Sequence, residues 1–446
     1  MRMFLVCVLG LLVGATASFG QSRPPNIVLI VADDLGYADL GVHGLKEIGT
    51  PNIDALASAG MRFTSAYSSG CVCSPSRVGI LTGRYQNRTG HDSNPRQRFG
   101  LDLAEVTIAR RLKGAGYKTG IVGKWHLGEE KDQHPLSRGF DEFYGILEHG
   151  IGPAERGGKE IVVHRGWEAT ETPADHTTAF GREAVQFIER HQSESFFLYV
   201  PFTAVHAPHV APAEQLQKLA NIADPRRRRY LAMLATLDAM VGQITAKLRE
   251  LNLEENTLVA FMSDNGGPDG APDNGVLHGG KWTLWEGGIR SPLFVVWKGH
   301  IPAGRVSDQP VIQLDLAPTV LAAAGIQPVA EWKLDGVSLL PLLEGNTTQL
   351  DRDALYWRFG PQFAVRQGAW KLVKPSLADE PMLFDLAADP GESKNLAADE
   401  PQRVRSLTAL WQSWNAGNIA PRWDDARWNG EEARKERKKA KKAAKG

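Results

Sequence analysis

The chain has 446 residues, 42% hydrophobic and 23% charged, with 51 Lys and Arg balanced by 51 Asp and Glu. This is an ordinary globular composition with apolar material for large cores; 46 Gly and 26 Pro imply many loops and exclude a low-complexity chain. The neutral balance gives no ground to expect a nucleic-acid partner, and the length fits two or three domains or one wide α/β sheet.

Arg2 precedes an apolar stretch, Met3 to Val13, and Ala15-Thr16-Ala17 is a small-x-small cleavage site. This predicts a signal peptide over residues 1–20 and export to a periplasmic or extracellular address. The polar segment Ser18 to Pro25 ends the run short of the roughly 20 apolar residues a membrane anchor needs. No later stretch reads as a transmembrane segment. Cys7 leaves with the signal peptide, so the mature chain keeps only Cys71 and Cys73. An i, i+2 pair makes poor disulfide geometry, and no disulfide framework is expected. An exported chain that keeps a thiol pair without a structural use invites a chemical explanation.

The β-branched run from Asn26 to Ala32 predicts a strand buried on both faces, ending at Asp33-Asp34-Leu35-Gly36. Thr50-Pro51-Asn52-Ile53-Asp54 predicts a helix start with Thr50 or Asn52 as cap. Helices are predicted at 107–115, 177–191 and 227–251, alternating with strands at 118–122, 196–200, 257–262 and 293–297. This βαβ rhythm predicts a large, mostly parallel α/β sheet covered by helices over 24–344. Short strands at 354–358, 363–366, 370–373 and 382–385, then a helix at 401–415, predict an antiparallel subdomain over 345–430. From Glu431 on, eight Lys/Arg stand against three acids, and residues 431–446 read as a basic disordered tail or an attractor of polyanions.

Strand ends deliver matching polar groups. Asp33, Asp34, Asp264 and Asn265 form an all-oxygen set suited to Ca²⁺ or Mg²⁺, though Asp and Asn also serve turns and caps. Arg77, Lys124 and Lys281, with His126 and His206, would form a pocket for a compact anion, unless they are surface charges. A cation centre beside an anion pocket fits hydrolysis of a phosphate or sulfate ester.

The run Cys73-Ser74-Pro75-Ser76-Arg77, followed by Val78-Gly79-Ile80-Leu81-Thr82-Gly83-Arg84, closely resembles the signature of type I sulfatases, Cys-x-Pro-Ser-Arg then Leu-Thr-Gly-Arg. Further landmarks run from Pro25 to about Trp414: Thr50 to Asp54, Gly123-Lys124-Trp125-His126-Leu127-Gly128, Gly139-Phe140-Asp141, Ser263 to Gly266, Lys281 to Gly288 and Leu383-Phe384-Asp385-Leu386. The flavour is that of bacterial arylsulfatase-like and N-acetylgalactosamine-6-sulfatase-like polysaccharide sulfatases. The resemblance implies an alkaline-phosphatase-like fold and a formylglycine made from Cys73 by a formylglycine-generating maturation enzyme. It implies one Ca²⁺ bound by Asp33, Asp34, Asp264, Asn265 and residue 73. One hydroxyl of the formylglycine hydrate would attack sulfur, assisted by Asp264, while Arg77 steadies its charge. Lys124 and Lys281 would hold sulfate oxygens, Lys281 or His206 would protonate the leaving alcohol, and His126 would take the second hydroxyl's proton.

The His206-Ala207-Pro208-His209 run looks like those of glycan-directed sulfatases, so a sulfated carbohydrate is the expected substrate. His209 is read as a pocket or substrate contact or as structural. Alignment on Gly139-Phe140 and Gly145-Ile146 puts His149 where arylsulfatases carry a serine near the sulfate. Trp125, Trp167, Trp282 and Trp285 could stack on sugars or pack in the core, and Cys71 has no assigned role. Two alternatives stand: a phosphodiesterase or phosphonate monoester hydrolase of the same superfamily, and a non-catalytic binder of sulfated glycans if Cys73 is not matured. The sequence is silent on oligomeric state.

Overall fold

A computed structural model describes residues 23–95, 99–147, 161–425 and 428. The expected signal peptide, His149 and the basic tail lie outside the described residues.

The centre is a ten-stranded sheet. Strand Asn26–Ala32 lies in its middle, fully buried, paired in parallel with Thr257–Ser263 on one side and Phe196–Pro201 on the other. Lys118–Lys124 and then Glu142–Ile146 continue the parallel run. Leu293–Val296 enters antiparallel next to Thr257–Ser263, so the sheet is mixed. Period-two alternation divides the central strand between two cores. Ile27, Leu29 and Val31 face one core, with Val78, Leu112 and Val320 from the helices on that side. Val28 and Ile30 face the other, with Leu56, Phe187 and Leu237. The continuous apolar run in the sequence is the trace of burial on both faces.

The predicted elements are present with small shifts: helices Ile108–Gly114, His176–Arg190 and Pro225–Glu250, and the four-stranded antiparallel sheet from Leu355 to Asp385, with helix Pro401–Asn415. The architecture is therefore the expected large, mostly parallel mixed sheet between helices, with a small antiparallel sheet behind it.

Two expectations need correction. Neither Thr50 nor Asn52 caps helix Pro51–Ala59 with its side chain; Thr50 Oγ1 donates to Asp54 instead. The cap comes from Asp238 on the long helix, whose Oδ1 accepts from Asn52 N at 3.0 Å and Ile53 N at 2.8 Å. Local patterning cannot show a cap lent by a distant helix. Second, Pro225–Glu250 is long and apolar enough to cross a membrane. Its apolar residues instead build a core: Tyr230, Leu234, Leu237, Val241 and Ile244 are buried against the sheet and its neighbouring helices.

A buried ionic cluster ties the small sheet to the large one. Lys371 places Nζ 2.9 Å from Glu286 Oε1 and 2.8 Å from Glu392 Oε1. Glu286 Oε2 accepts from Tyr67 OH at 2.7 Å, and Glu286 N donates to Glu392 Oε2 at 2.7 Å. Because Glu286 follows Lys281 by five residues, the second sheet braces a segment that reaches the polar strand ends.

Candidate active site

Four adjacent parallel strands, in the order Thr257–Ser263, Asn26–Ala32, Phe196–Pro201 and Lys118–Lys124, open their carboxyl ends on one place. Ligands of open α/β sheets bind at this edge. Register pairs Ala32 with Ser263, so Asp33 and Asp264 leave the sheet side by side, and Asp264 N donates to Ala32 O at 3.0 Å. Lys124 ends its strand, and His206 follows the end of another.

Cys73 arrives differently, as the first residue of helix Cys73–Thr82, in which every residue is buried. Gly83 stops that helix at φ +69°, with its N–H on Gly79 O. Gly79 is required by close approach: a Cβ there would stand 2.2 Å from Ser69 Oγ. The helix's amino end favours negative charge at position 73.

The side chains form one buried network. Cys73 Sγ lies 3.3 Å from Asp33 Oδ1 and 3.9 Å from Asp34 Oδ1, and Lys281 Nζ donates to it at 3.1 Å. Lys124 Nζ bonds Asp33 Oδ2 at 2.5 Å, and Lys281 Nζ sits 2.6 Å from Asp34 Oδ1. Arg77 binds Asp264 Oδ2 and donates through Nη1 to Lys124 O at 2.8 Å. Asn265 Nδ2 donates to Asp34 Oδ1 at 2.7 Å. His206 Nε2 stands 3.5 Å from Asp34 Oδ2. Ten of the expected residues are thus in one place or beside it. His126 lies at the rim of the same strand end, held at φ +58° by its N–H on Leu147 O and by Ser74 Oγ on its carbonyl. His209 is not in this network; it packs edge-on against Tyr230.

Three carboxylates, Asp33, Asp34 and Asp264, meet three cations, Arg77, Lys124 and Lys281. Burial would raise the Asp33 pKa, but Lys124, His206, Arg77 and Lys281 outweigh it and hold the carboxyl well below the usual range. Asp264 is pushed up to about 6 by burial and by Asp33, against the pull of Arg77. Burial would lower the Lys281 pKa, yet Asp34 and Cys73 raise it, so Lys281 stays charged. His206 is lowered to about 4, by burial first. Burial and then Asp33 push the Cys73 thiol far up, so the side chain is a neutral thiol, the reverse of an activated cysteine nucleophile.

The carboxylates of this set also suit a hard cation. Ligand atoms of Asp33, Asp34, Cys73 and His206 lie within 4.8 Å of one another. Asn265 Oδ1 is buried and makes no hydrogen bond among the described residues, which leaves an acceptor for a ligand such as a metal.

The sulfatase family model matches residues 25–326, and a model described as N-sulphoglucosamine sulphohydrolase, C-terminal, matches residues 278–414. The chain belongs to the sulfatase family. N-acetylgalactosamine-6-sulfatase of Sus scrofa is 39% identical over 79% of this sulfatase and 72% of its own length. Arylsulfatase A of Homo sapiens is 35% identical over 90% and 89%. The crystal structure of Ps i-CgsB superposes with a TM-score of 0.85 at 34% identity, covering 90% of this sulfatase and 95% of that chain. This sulfatase is therefore an enzyme of sulfate-ester hydrolysis, on the alkaline-phosphatase-like fold that its structural neighbours share.

Some supports of the site were not read from the sequence. Ser74 Oγ sits 2.7 Å from His91 Nε2, and Asn94 Oδ1 accepts from Ser74 N, so the residue beside Cys73 is fixed from a separate loop. Gln313 Nε2 donates to Ser263 O, and its Oε1 accepts from Ser69 N. Gln313 carries no motif that could have marked it. Of the tryptophans, Trp125 is wholly buried in the core and cannot stack on a sugar. Trp282 and Trp285 pack partly buried against the second sheet's core, and Trp167 is exposed, stacked on His134.

Proposed function

We propose that this enzyme hydrolyses sulfate monoesters on a sulfated carbohydrate and releases inorganic sulfate, with residue 73 as nucleophile after conversion of Cys73 to formylglycine. The observation that carries this reading is the position of Cys73 Sγ, in contact with Asp33 and Lys281 at the start of a buried helix. That atom stands where the oxidised group would be. A neutral thiol there is a poor nucleophile, whereas an aldehyde hydrate supplies one hydroxyl for attack and a second whose deprotonation releases sulfate.

Asp33, Asp34, Asp264 and Asn265 would hold one Ca²⁺, with residue 73 completing the set. A divalent cation there would polarise the ester oxygens and turn a charge-balanced cluster into one that attracts an anion. Arg77 steadies negative charge at residue 73, and Asp264 accepts the attacking hydroxyl's proton. Lys124 and Lys281 hold sulfate oxygens. The leaving alcohol takes its proton from Lys281 or His206; Lys281 is the one that carries a proton at neutral pH. His126 takes the proton of the second hydroxyl. The carbohydrate assignment draws on relatives named N-acetylgalactosamine-6-sulfatase and on a structure of Ps i-CgsB in complex with k-i-k-neocarrahexaose. Export to a periplasmic or extracellular address and a formylglycine-generating partner belong to the same proposal.

Peptide mass spectrometry of protein from its native source tests maturation directly, through the mass change from thiol to aldehyde at residue 73. Cys73→Ser should abolish multiple turnover of an aryl sulfate while leaving binding of the ester intact. Unchanged turnover would overturn the assignment, and faster turnover of a phosphate diester than of a sulfate monoester would favour the phosphodiesterase reading.

A further inference from the structure

Helix Pro225–Glu250 opens with four consecutive arginines, Arg226 to Arg229. Two have structural partners. Arg227 pairs with Asp39 at 2.7 Å and Glu47 at 2.9 Å, and Arg228 Nε donates to Ile222 O at 2.9 Å. The other two stand three residues apart, which places them on one helix face. Both are exposed, and both line an open cavity of about 510 Å³ together with His209, Ala207 and Asp269. Arg226 has Asp224 at 3.8 Å, beyond hydrogen-bond distance, and Arg229 acts on the same carboxylate through space.

This cavity adjoins the cluster around residue 73. Its wall begins at Ala207, whose carbonyl bonds His206 Nδ1 at 2.6 Å, while His206 Nε2 points to Asp34. The floor is fixed: His209 packs against the Tyr230 ring at 5.4 Å, and Tyr230 OH donates to Asp39 at 2.6 Å. Burial and then Arg229 lower the His209 pKa, so its ring is neutral and the positive charge comes from the two guanidiniums, with Asp269 in the lining and Asp224 beside Arg226 as the nearby carboxylates. Planar guanidiniums with free nitrogens match the paired oxygens of a sulfate or carboxylate.

We propose that Arg226, Arg229 and His209 form a second anion subsite, which takes a sulfate or carboxylate on a sugar near the one whose ester is cleaved. The preferred substrate is then a polyanionic glycan, not a singly sulfated molecule. This rests on the sulfated-carbohydrate reading above and deepens it.

The test is an Arg226→Ala/Arg229→Ala double variant, with Arg229→Lys as the conservative control. Kinetics would use three probes: an aryl sulfate with one anionic group, a multiply sulfated neocarrahexaose, and a chondroitin 6-sulfate tetrasaccharide that adds carboxylates. In the double variant KM should rise about tenfold for an oligosaccharide, as expected for loss of charge-assisted hydrogen bonds, with kcat held. Aryl sulfate KM should not move, and Arg229→Lys should recover part of the loss. A rise only with the neocarrahexaose assigns the subsite to sulfate; a rise only with the tetrasaccharide assigns it to carboxylate. Calorimetric binding of the same oligosaccharides to full-length Cys73→Ala protein, with and without the double substitution, should show the same loss and a weaker salt dependence. Equal KM and equal affinity in wild type and double variant would overturn the subsite and leave the sulfatase reading standing. Weaker binding by the double variant, with no sulfate ester hydrolysed by matured wild type, would keep the subsite and remove the catalytic reading.

Discussion

Arg77 places two guanidinium nitrogens on a single oxygen of Asp264, Nε at 3.1 Å and Nη2 at 2.7 Å, with both side chains wholly buried. Its Nη2 also lies 3.4 Å from Asp33. Removing the cation leaves two buried carboxylates side by side with Lys124 as the nearest compensation. Arg77→Met should therefore cost about 3–5 kcal/mol of folding stability, the usual penalty for an orphaned buried charge. Arg77→Lys keeps the charge but cannot reach Asp264 and Lys124 O together, so it should lose less stability and still lose turnover. Urea unfolding and aryl sulfate kinetics measure the two effects; a Met variant as stable as wild type would contradict the pair's importance.

Asn265 offers the cleanest test of the cation. Its Oδ1 is buried without a hydrogen bond among the described residues, while its Nδ2 is satisfied by Asp34 and Gly266 O. Ca²⁺ added to chelator-treated protein should raise Tm by mass action. Asn265→Ala should move the half-maximal Ca²⁺ concentration up about tenfold or more, as loss of a ligand does. A Tm that ignores Ca²⁺ in both proteins would remove the metal from this site.

Much of this was legible in the sequence, for identifiable reasons. The strand Asn26–Ala32 and its carboxylates stand out because burial on both faces forces an unbroken apolar run, ended abruptly by Asp33-Asp34. Lys124 and Lys281 stand out because charge in a strand-end or Gly-rich setting is rare without a partner, and Arg77 through the Cys73-to-Arg77 run that resembles the sulfatase signature. What stayed hidden depends on tertiary contact: Asp238 caps a helix 186 residues earlier in the chain, and Gln313 braces Asp264 from 49 away. The strands Met61–Phe63 and Arg305–Ser307 at one side of the large sheet are three residues long, too short to show a period. The exposed Arg226 and Arg229 could not be told from Arg227 and Arg228, because the anchoring of the latter two depends on Asp39 and Ile222.

Lys371 is the counterpart of Arg77 at the junction of the two sheets. It neutralises Glu286 and Glu392, and Glu392 is raised to about 7, by burial first and then by Glu286 against the pull of Lys371. Lys371→Met should destabilise the protein by about 3–5 kcal/mol. It should also lower kcat below the unfolding temperature, because Glu286 anchors the segment that carries Lys281. Adding Glu392→Gln should restore part of the stability, because Glu286 keeps Arg290 at 3.4 Å whereas Glu392 loses its cation. If the double variant is no more stable than Lys371→Met, the cluster does not act as an electrostatic unit.

His91 gives the site an acid limit that can be assigned to one residue. It is buried, it holds Ser74 Oγ through Nε2, and burial lowers its pKa from 6.5 to about 3. Between those values the unfolded chain binds a proton that the folded protein refuses, so stability is full above about pH 6.5 and falls as pH drops towards 3. The contribution is about 2 kcal/mol between pH 7 and about pH 5, and about 4–5 kcal/mol at the acid limit. Asp264, raised to about 6, and Glu392 act with the opposite sign, because their folded forms hold protons that the unfolded chain has released. The difference between wild type and His91→Gln isolates the histidine, since glutamine can still reach Ser74 but does not titrate. Urea unfolding at several pH values should show a shallower acid loss in the variant. A variant with the wild-type slope would mean that His91 is not the group that takes up the proton.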